Sequence, residues 1–187
     1  MKYRKCIYIY KKTIKKDTEQ VQIELCKLTD GDIEEAFQLI SKVTHIMRRA
    51  GINQWDSIYP DRSIVEYDIS RSSAYGCYCD SQLAGYIALN DEYPPEYDSI
   101  AWIYHGKNLI VHRLAVAVDY QRKGIGTYLM DFAISYAKEN KYDSIRLDAY
   151  AVNKYSNALY NKLGFNKTGE IVFRTGLFYC YELSLHV

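Results

Sequence analysis

Proline is scarce in this sequence, with three copies in 187 residues, and histidine is nearly so, with four. Low proline excludes collagen-like chains and proline-rich linkers. No run of 18 or more apolar residues occurs, which excludes a membrane-spanning helix of ordinary length. An excess of one charge is also lacking, since 24 Lys and Arg face 23 Asp and Glu. A net charge of +1 gives no global case for a nucleic-acid partner. The five cysteines are Cys6, Cys26, Cys77, Cys79 and Cys180, and no pair has the spacing of a zinc knuckle or redox motif. They are expected to be reduced thiols serving as small hydrophobes in a cytoplasmic protein that holds no metal. The apolar stretch Cys6 to Tyr10 is too short for a signal sequence and no small-residue cleavage site follows it.

What is present fits a folded domain: 48% hydrophobic and 25% charged residues. Charge is uneven along the chain. Residues 1–20 carry seven Lys/Arg against two acids, a local +5 that leaves −4 on the rest. We read residues 1–20 as a basic N-terminal extension, a solvated tail or an arm for RNA or an acidic partner. Residues 21–187 are expected to form a single domain.

Within that domain, Gln22 to Leu28 alternates polar and apolar residues as a half-buried strand does. Thr29 to Asp32 offers a helix N-cap, and Ile33, Phe37, Ile40, Thr44 and Met47 follow at helical spacing until Gly51. Pro60 and Asp61 start a second helix that runs to about Ser70. Tyr75 to Cys79 and Leu83 to Leu89 read as a hairpin, followed by a loop from Asn90 to Ser99. Leu109 to Val118 is a buried strand, Thr127 to Asn140 an amphipathic helix, Ser144 to Ala149 a strand and Lys154 to Leu163 a helix. Two closing strands fall near Ile171 to Arg174 and Leu177 to Leu185. The class is therefore α/β with a mixed sheet.

One stretch carries chemistry on its face. Gln121-Arg122-Lys123-Gly124-Ile125-Gly126 ends a buried strand and opens a helix. At such a junction several N–H groups lack a helical partner, and the helix dipole is positive. Glycines let the backbone approach a ligand closely, and two cations add charge. This suits a pyrophosphate. It is neither a P-loop nor the Gly-x-Gly-x-x-Gly dinucleotide fingerprint. Alone, it could equally be an ordinary turn with a basic surface.

A second motif, Asn153-Lys154-Tyr155-Ser156-Asn157-Ala158-Leu159-Tyr160-Asn161-Lys162-Leu163-Gly164-Phe165, follows the next strand. Together with His112-Arg113-Leu114-Ala115-Val116 and the glycine turn, it resembles the GCN5-related N-acetyltransferase (GNAT) superfamily. The resemblance covers roughly Gln22 to Leu185 and is most specific from Leu109 to Phe165. It implies a mostly antiparallel central sheet with splayed central strands, flanked by helices. It implies acetyl-CoA as co-substrate and a primary amine, on a small molecule or a peptide, as acceptor. By the same resemblance Leu114, Ala115 and Val116 pair with pantetheine, and Gln121, Arg122, Lys123, Gly124, Ile125, Gly126 and Thr127 hold the pyrophosphate. Asn153 matches the residue that bonds the pantetheine arm, and Tyr160 the one that protonates the departing thiolate.

Acyl transfer to an amine also needs a proton acceptor. Asp148 stands twelve residues before Tyr160, the spacing at which ribosomal-protein acetyltransferases carry a Glu, though a structural Asp fits there too. His112 is the second candidate, as its ordinary pKa lies near neutrality. It should share a face with Leu114 and Val116, as a buried histidine also would. Ile110 stands where the histone-acetylating branch carries a Glu, which argues against a copy of that mechanism. For the acceptor, Trp55 and Tyr59 could form an apolar wall and Asp56 could hold the amine, although Trp55 equally fits a core position. A non-catalytic acyl-CoA-binding sensor is the alternative reading, and a homodimer by exchange of the last two strands stays open.

Overall fold

The computed structural model describes residues 12–16 and 19–186. Its strands are β1 (Lys12–Lys16), β2 (Glu19–Lys27), β3 (Ala74–Cys79), β4 (Gln82–Asn90), β5 (Asn108–Val116), β6 (Ser144–Tyr150), β7 (Asn166–Phe173) and β8 (Gly176–Ser184). Its helices are α1 (Ile33–Arg49), α2 (Arg62–Ser70), α3 (Ile125–Glu139) and α4 (Lys154–Lys162). From β2 onward, strands and helices follow one another in the expected sequence. The fold is mixed α/β with a mostly antiparallel sheet flanked by helices. Two compact units share the chain, and α1, β4, β5 and α3 each run from one into the other.

The first unit takes in residues up to Val43, Ser57–Ala88 and Arg113–Leu129. Here β1, β2, β3 and β4 pair in that order, each antiparallel to the next. Strand β1 and the start of β2, at Glu19, lie before Val21. Hydrophobic alternation cannot signal a strand like Lys-Thr-Ile-Lys-Lys, and lysines are a common guard on sheet edges. The remainder of the basic extension lies outside the described residues. Thr29 and Asp32 cap the entry to α1: the Thr29 N–H and hydroxyl both donate to Asp32 Oδ2, at 2.9 and 2.8 Å. Asp61 caps α2 by accepting from Ile64 N. Ala36, Leu39, Ile40 and Val43 give α1 its buried stripe.

The second unit takes in Thr44–Asp56, Leu89–His112 and the chain from Met130. β5 pairs with β6 in parallel, and β6–β8 and β8–β7 are antiparallel. The parallel ladder is short. It runs from Asn108↔Ser144 to Ile110↔Arg146, although β5 continues to Val116 and β6 to Tyr150. Ile110, Ile171, Phe178 and Cys180 form a buried cluster with Tyr97 and Trp102. Tyr97 comes from the segment read as a plain loop, where Pro95–Ser99 in fact winds a 3-10 turn. β7 begins at Asn166 rather than near Ile171, because its first half is polar and irregular, with a register shift between Lys167 and Gly169. Gly164, at φ 84°, closes α4 as expected.

The cysteines depart from expectation at one position. Cys77, Cys79 and Cys180 are buried free thiols, but Cys26 is disulfide-bonded. Its partner lies outside the described residues. Among the described residues no helix is long and apolar enough to cross a membrane, and no group of His, Cys, Asp and Glu could hold a metal ion.

Candidate active site

The glycine turn sits in the first unit, where its backbone is built by specific anchors. Ala117 N donates to Ala84 O of β4 at 2.9 Å, which fixes the end of β5. The next residues make a 3-10 turn, Val118–Tyr120, held by Tyr120 N on Ala117 O and by the Tyr120 hydroxyl on Gln82 Oε1. Gln121 folds back, its Nε2 donating to Val116 O at 3.2 Å. Arg122 and Gly124 then take positive φ, 60° and 88°. A side chain at Gly124 would meet nothing within 4 Å, so this corner opens outward.

Helix α3 starts two residues earlier than expected, at Ile125. Its first hydrogen bond is Tyr128 N to Gly124 O. The N–H groups of Ile125, Gly126 and Thr127 precede that bond and have no acceptor inside the helix. Together with the helix dipole and the exposed Arg122, they make a corner able to hold an anion. Gly85 lets this first turn come close. A Cβ there would lie 2.8 Å from Leu129 Cδ1 and 2.9 Å from Ile125 Cγ2.

Just before the turn, Arg113 has φ 51° in the middle of β5. The left-handed residue breaks strand alternation, so His112 does not share a simple face with Leu114 and Val116. The Arg113 guanidinium is buried and grips Asp68 of α2 with two bonds, Nε to Oδ2 at 2.7 Å and Nη2 to Oδ1 at 2.5 Å. The Tyr86 hydroxyl also donates to Asp68, at 2.6 Å, and Arg113 Nη1 donates to the Tyr59 hydroxyl at 2.8 Å. Tyr59 is thus partly exposed and tied to β5. Sequence reasoning gave Arg113, Asp68 and Tyr86 no role. The available signal was a cation inside the apolar run Leu109 to Val118, and an acid flanked by Val65 and Ile69.

In the second unit, Tyr160 and Asp148 come together. Tyr160 is 5% exposed and packs on Phe165 and Tyr181, with ring centroids 5.9 and 5.8 Å away. Among the described residues its hydroxyl has no hydrogen-bond partner. Burial, then the nearby Asp148, then Tyr181 push its pKa well above the ordinary tyrosine value. Asp148 is half-buried between Leu147 and Ala149 and accepts from the Tyr97 hydroxyl at 2.9 Å. Burial and Asp148 push Cys180, its cross-strand neighbour on β8, up to about 12. Tyr97 is held by Trp102, whose Nε1 donates to Tyr97 O at 2.9 Å. Nothing in the local pattern of residues 90–99 marks Tyr97 as a neighbour of Asp148, 51 positions on.

The remaining candidates are engaged with protein groups. His112 Nε2 lies 2.9 Å from both Asn90 Oδ1 and Glu92 O. Both are acceptors, since Asn90 Oδ1 also receives Glu92 N, so Nε2 carries a proton. Asn153 caps α4 through Oδ1 on Ser156 N, and its Nδ2 donates to Gln54 at 2.9 Å. Asp56 pairs with Arg174 at 2.6 Å, and Trp55 is buried at 6% exposure. Ile110 is fully buried, in keeping with the lack of an acid there. Asp91 and Asp98 line a cavity with Tyr93, Tyr97 and Trp102, whose floor includes Arg146. Arg146 is neutralised by the buried Glu182, 2.9 Å away.

The profile of the acetyltransferase (GNAT) family matches residues 37–165, and the chain belongs to that family. An uncharacterized N-acetyltransferase of Bacillus subtilis, YesJ, is 24% identical over 148 residues, 77% of this chain and 82% of that protein. A GNAT-family acetyltransferase of Streptococcus agalactiae superposes with a TM-score of 0.78 at 22% identity, covering 88% of this chain and 96% of that one. The PaiA N-acetyltransferase of Thermoplasma acidophilum, crystallised with coenzyme A, gives 0.67 at 20% identity over 87% and 98%.

Proposed function

We propose that this acetyltransferase moves an acetyl group from acetyl-CoA to a primary amine by direct attack, with Asp148 as proton acceptor and Tyr160 as proton donor. When bound, acetyl-CoA supplies the acetyl group as a reactive thioester. The N–H groups of Ile125, Gly126 and Thr127 hold its pyrophosphate, aided by Gln121, Arg122, Lys123 and Gly124. The open corner at Gly124 fits a bulky anion there. Backbone groups of Leu114, Ala115 and Val116 pair with the pantetheine arm, and a strand N–H polarises the carbonyl. An Asp148 oxygen takes the proton of the incoming ammonium, directly or through water. The Tyr160 hydroxyl gives its proton to the leaving sulfur as the C–S bond breaks, and takes back the proton that the newly bonded nitrogen sheds.

The observation that carries this reading is the state of Tyr160: buried, without a protein partner for its hydroxyl among the described residues, and kept protonated beside a carboxylate. A phenol so placed still holds its hydrogen when the leaving sulfur needs one. His112, the second candidate base, donates from Nε2 to Asn90 and Glu92, so only its Nδ1 could take a proton. Asn153 steadies the segment around Gln54, and Trp55, Asp56 and Tyr59 contribute to acceptor recognition.

The test is thiol release from acetyl-CoA with a panel of small amines and peptide N-termini. Transfer to at least one amine, lost in Tyr160→Phe and Asp148→Asn, is the expected result. Tight acetyl-CoA binding with no transfer to any amine would instead make the chain an acyl-CoA sensor.

A further inference from the structure

We propose that Asp68 and Arg113 are a positioning pair for the acyl donor: their buried ion pair holds the left-handed kink of β5, and through it sets the affinity for acetyl-CoA. The inference rests on the reading that Leu114–Val116 pair with that donor.

Three observations converge on Arg113. Its φ of 51° lies in a region that side-chain-bearing residues visit reluctantly, and here it falls inside a strand rather than a turn. Glycine would adopt that backbone freely, yet an arginine occupies it. Its guanidinium is 8% exposed and its partner carboxylate fully buried, with both carboxylate oxygens engaged. The Tyr86 hydroxyl adds a third bond to Asp68, and Ser73 holds the Asp68 carbonyl through its N–H and its hydroxyl, each at 2.9 Å. Asp68 is therefore a fixed point.

A buried ion pair is a weak source of net stability, because desolvation offsets most of the attraction. A fork-shaped cation gripped on two sides does fix geometry. Here the gripped side chain belongs to the residue whose backbone is out of the ordinary. Reversal of strand alternation at Arg113 turns the peptide groups that follow, those of Leu114, Ala115 and Val116. The residues that pair with β6, Asn108 to Ile110, all lie before it. The kink thus follows the half of β5 that pairs with β6 and precedes the half assigned to the donor.

The rival account is that the pair only ties α2 to the sheet. Two double variants separate the accounts: Asp68→Asn with Arg113→Gly, and Asp68→Asn with Arg113→Ala. Both lose the same ion pair and leave no buried carboxylate without its cation. They differ only in how readily position 113 accepts a positive φ. Acetyl-CoA affinity is read by calorimetry on the full chain, and thermal midpoints are recorded alongside. We expect the Gly variant to bind within about threefold of wild type and the Ala variant about five- to tenfold more weakly. Equal affinities in the two variants overturn the proposal while leaving the donor reading intact. Wild-type protein that binds no acetyl-CoA removes the donor reading and the proposal with it. Should the double variants fail to fold, Asp68→Asn alone decides, with several-fold weaker binding expected and unchanged binding overturning the pair's role.

Discussion

The donor turn and the Tyr160–Asp148 cluster solve different chemical problems with different materials. The turn is made of main chain: positive φ at Arg122 and Gly124, three helix-start N–H groups, and an approach that Gly85 permits. Its side chains mostly anchor or decorate. The cluster is made of side chains drawn from three distant stretches, Tyr97, Asp148 and Tyr160, set against β8. A pyrophosphate is a diffuse charge that several weak donors hold well. A proton must be given or taken at one atom, which only a particular side chain can do. Substitutions should therefore act very differently in the two regions.

The largest effects are expected in the cluster. Tyr160→Phe and Asp148→Asn should each lower kcat by roughly 10²-fold or more, with acetyl-CoA affinity nearly unchanged. Turnover intact in Tyr160→Phe would remove the contrast altogether. Next comes Gly85→Val, which drives a branched side chain into Ile125 and Leu129. We expect a loss of about 1–3 kcal/mol in stability, read by denaturant unfolding, together with weaker acetyl-CoA binding. Unaltered binding would mean that the first turn of α3 need not sit where it does.

Alkaline titration gives a smaller, graded effect. Tyr86, Tyr97 and Tyr160 all have pKa values raised above that of free tyrosine, chiefly by burial. In the unfolded chain these phenols ionise near pH 10, while in the folded protein they stay protonated. Their contribution is complete below about pH 10 and is lost as pH rises above it, by about 1.4 kcal/mol per pH unit for each tyrosine. Unfolding curves from pH 9 to 11.5 should show stability constant at first and then falling. A flat profile would mean that these hydroxyls ionise as freely folded as unfolded. The smallest effect is expected at the turn's own side chains. Arg122→Ala should raise the KM for acetyl-CoA by only about two- to fivefold, less at high salt. A hundredfold loss there would show that charge, not backbone, holds the donor.

The same contrast explains what could be read in the sequence. The turn was legible because backbone geometry is encoded locally: Gly124 and Gly126 sit within six residues of each other, after an apolar strand and before an amphipathic helix. Tyr160 and Asn153 were legible as parts of a second local motif. Tyr97 was not, because its hydrogen bond to Asp148 spans 51 positions and its segment reads as a solvated loop. Arg113 and Asp68 were visible only as charges in apolar company, and nothing in one dimension pairs residues 45 apart. Asp56, read as an acceptor residue, also faces Arg174 across a contact no pattern announces. Strand β1 escaped because a lysine-rich edge has no hydrophobic period to detect.

The bond between His112 and the start of the segment 91–108 has a consequence of its own. Nε2 donates to Asn90 and Glu92, and in this tautomer it bears hydrogen whether the ring is neutral or cationic. The fastener therefore joins β5 to the end of β4 through the ring nitrogen that keeps its hydrogen. A residue type usually prized as a proton carrier is employed here as a pin between strand and loop.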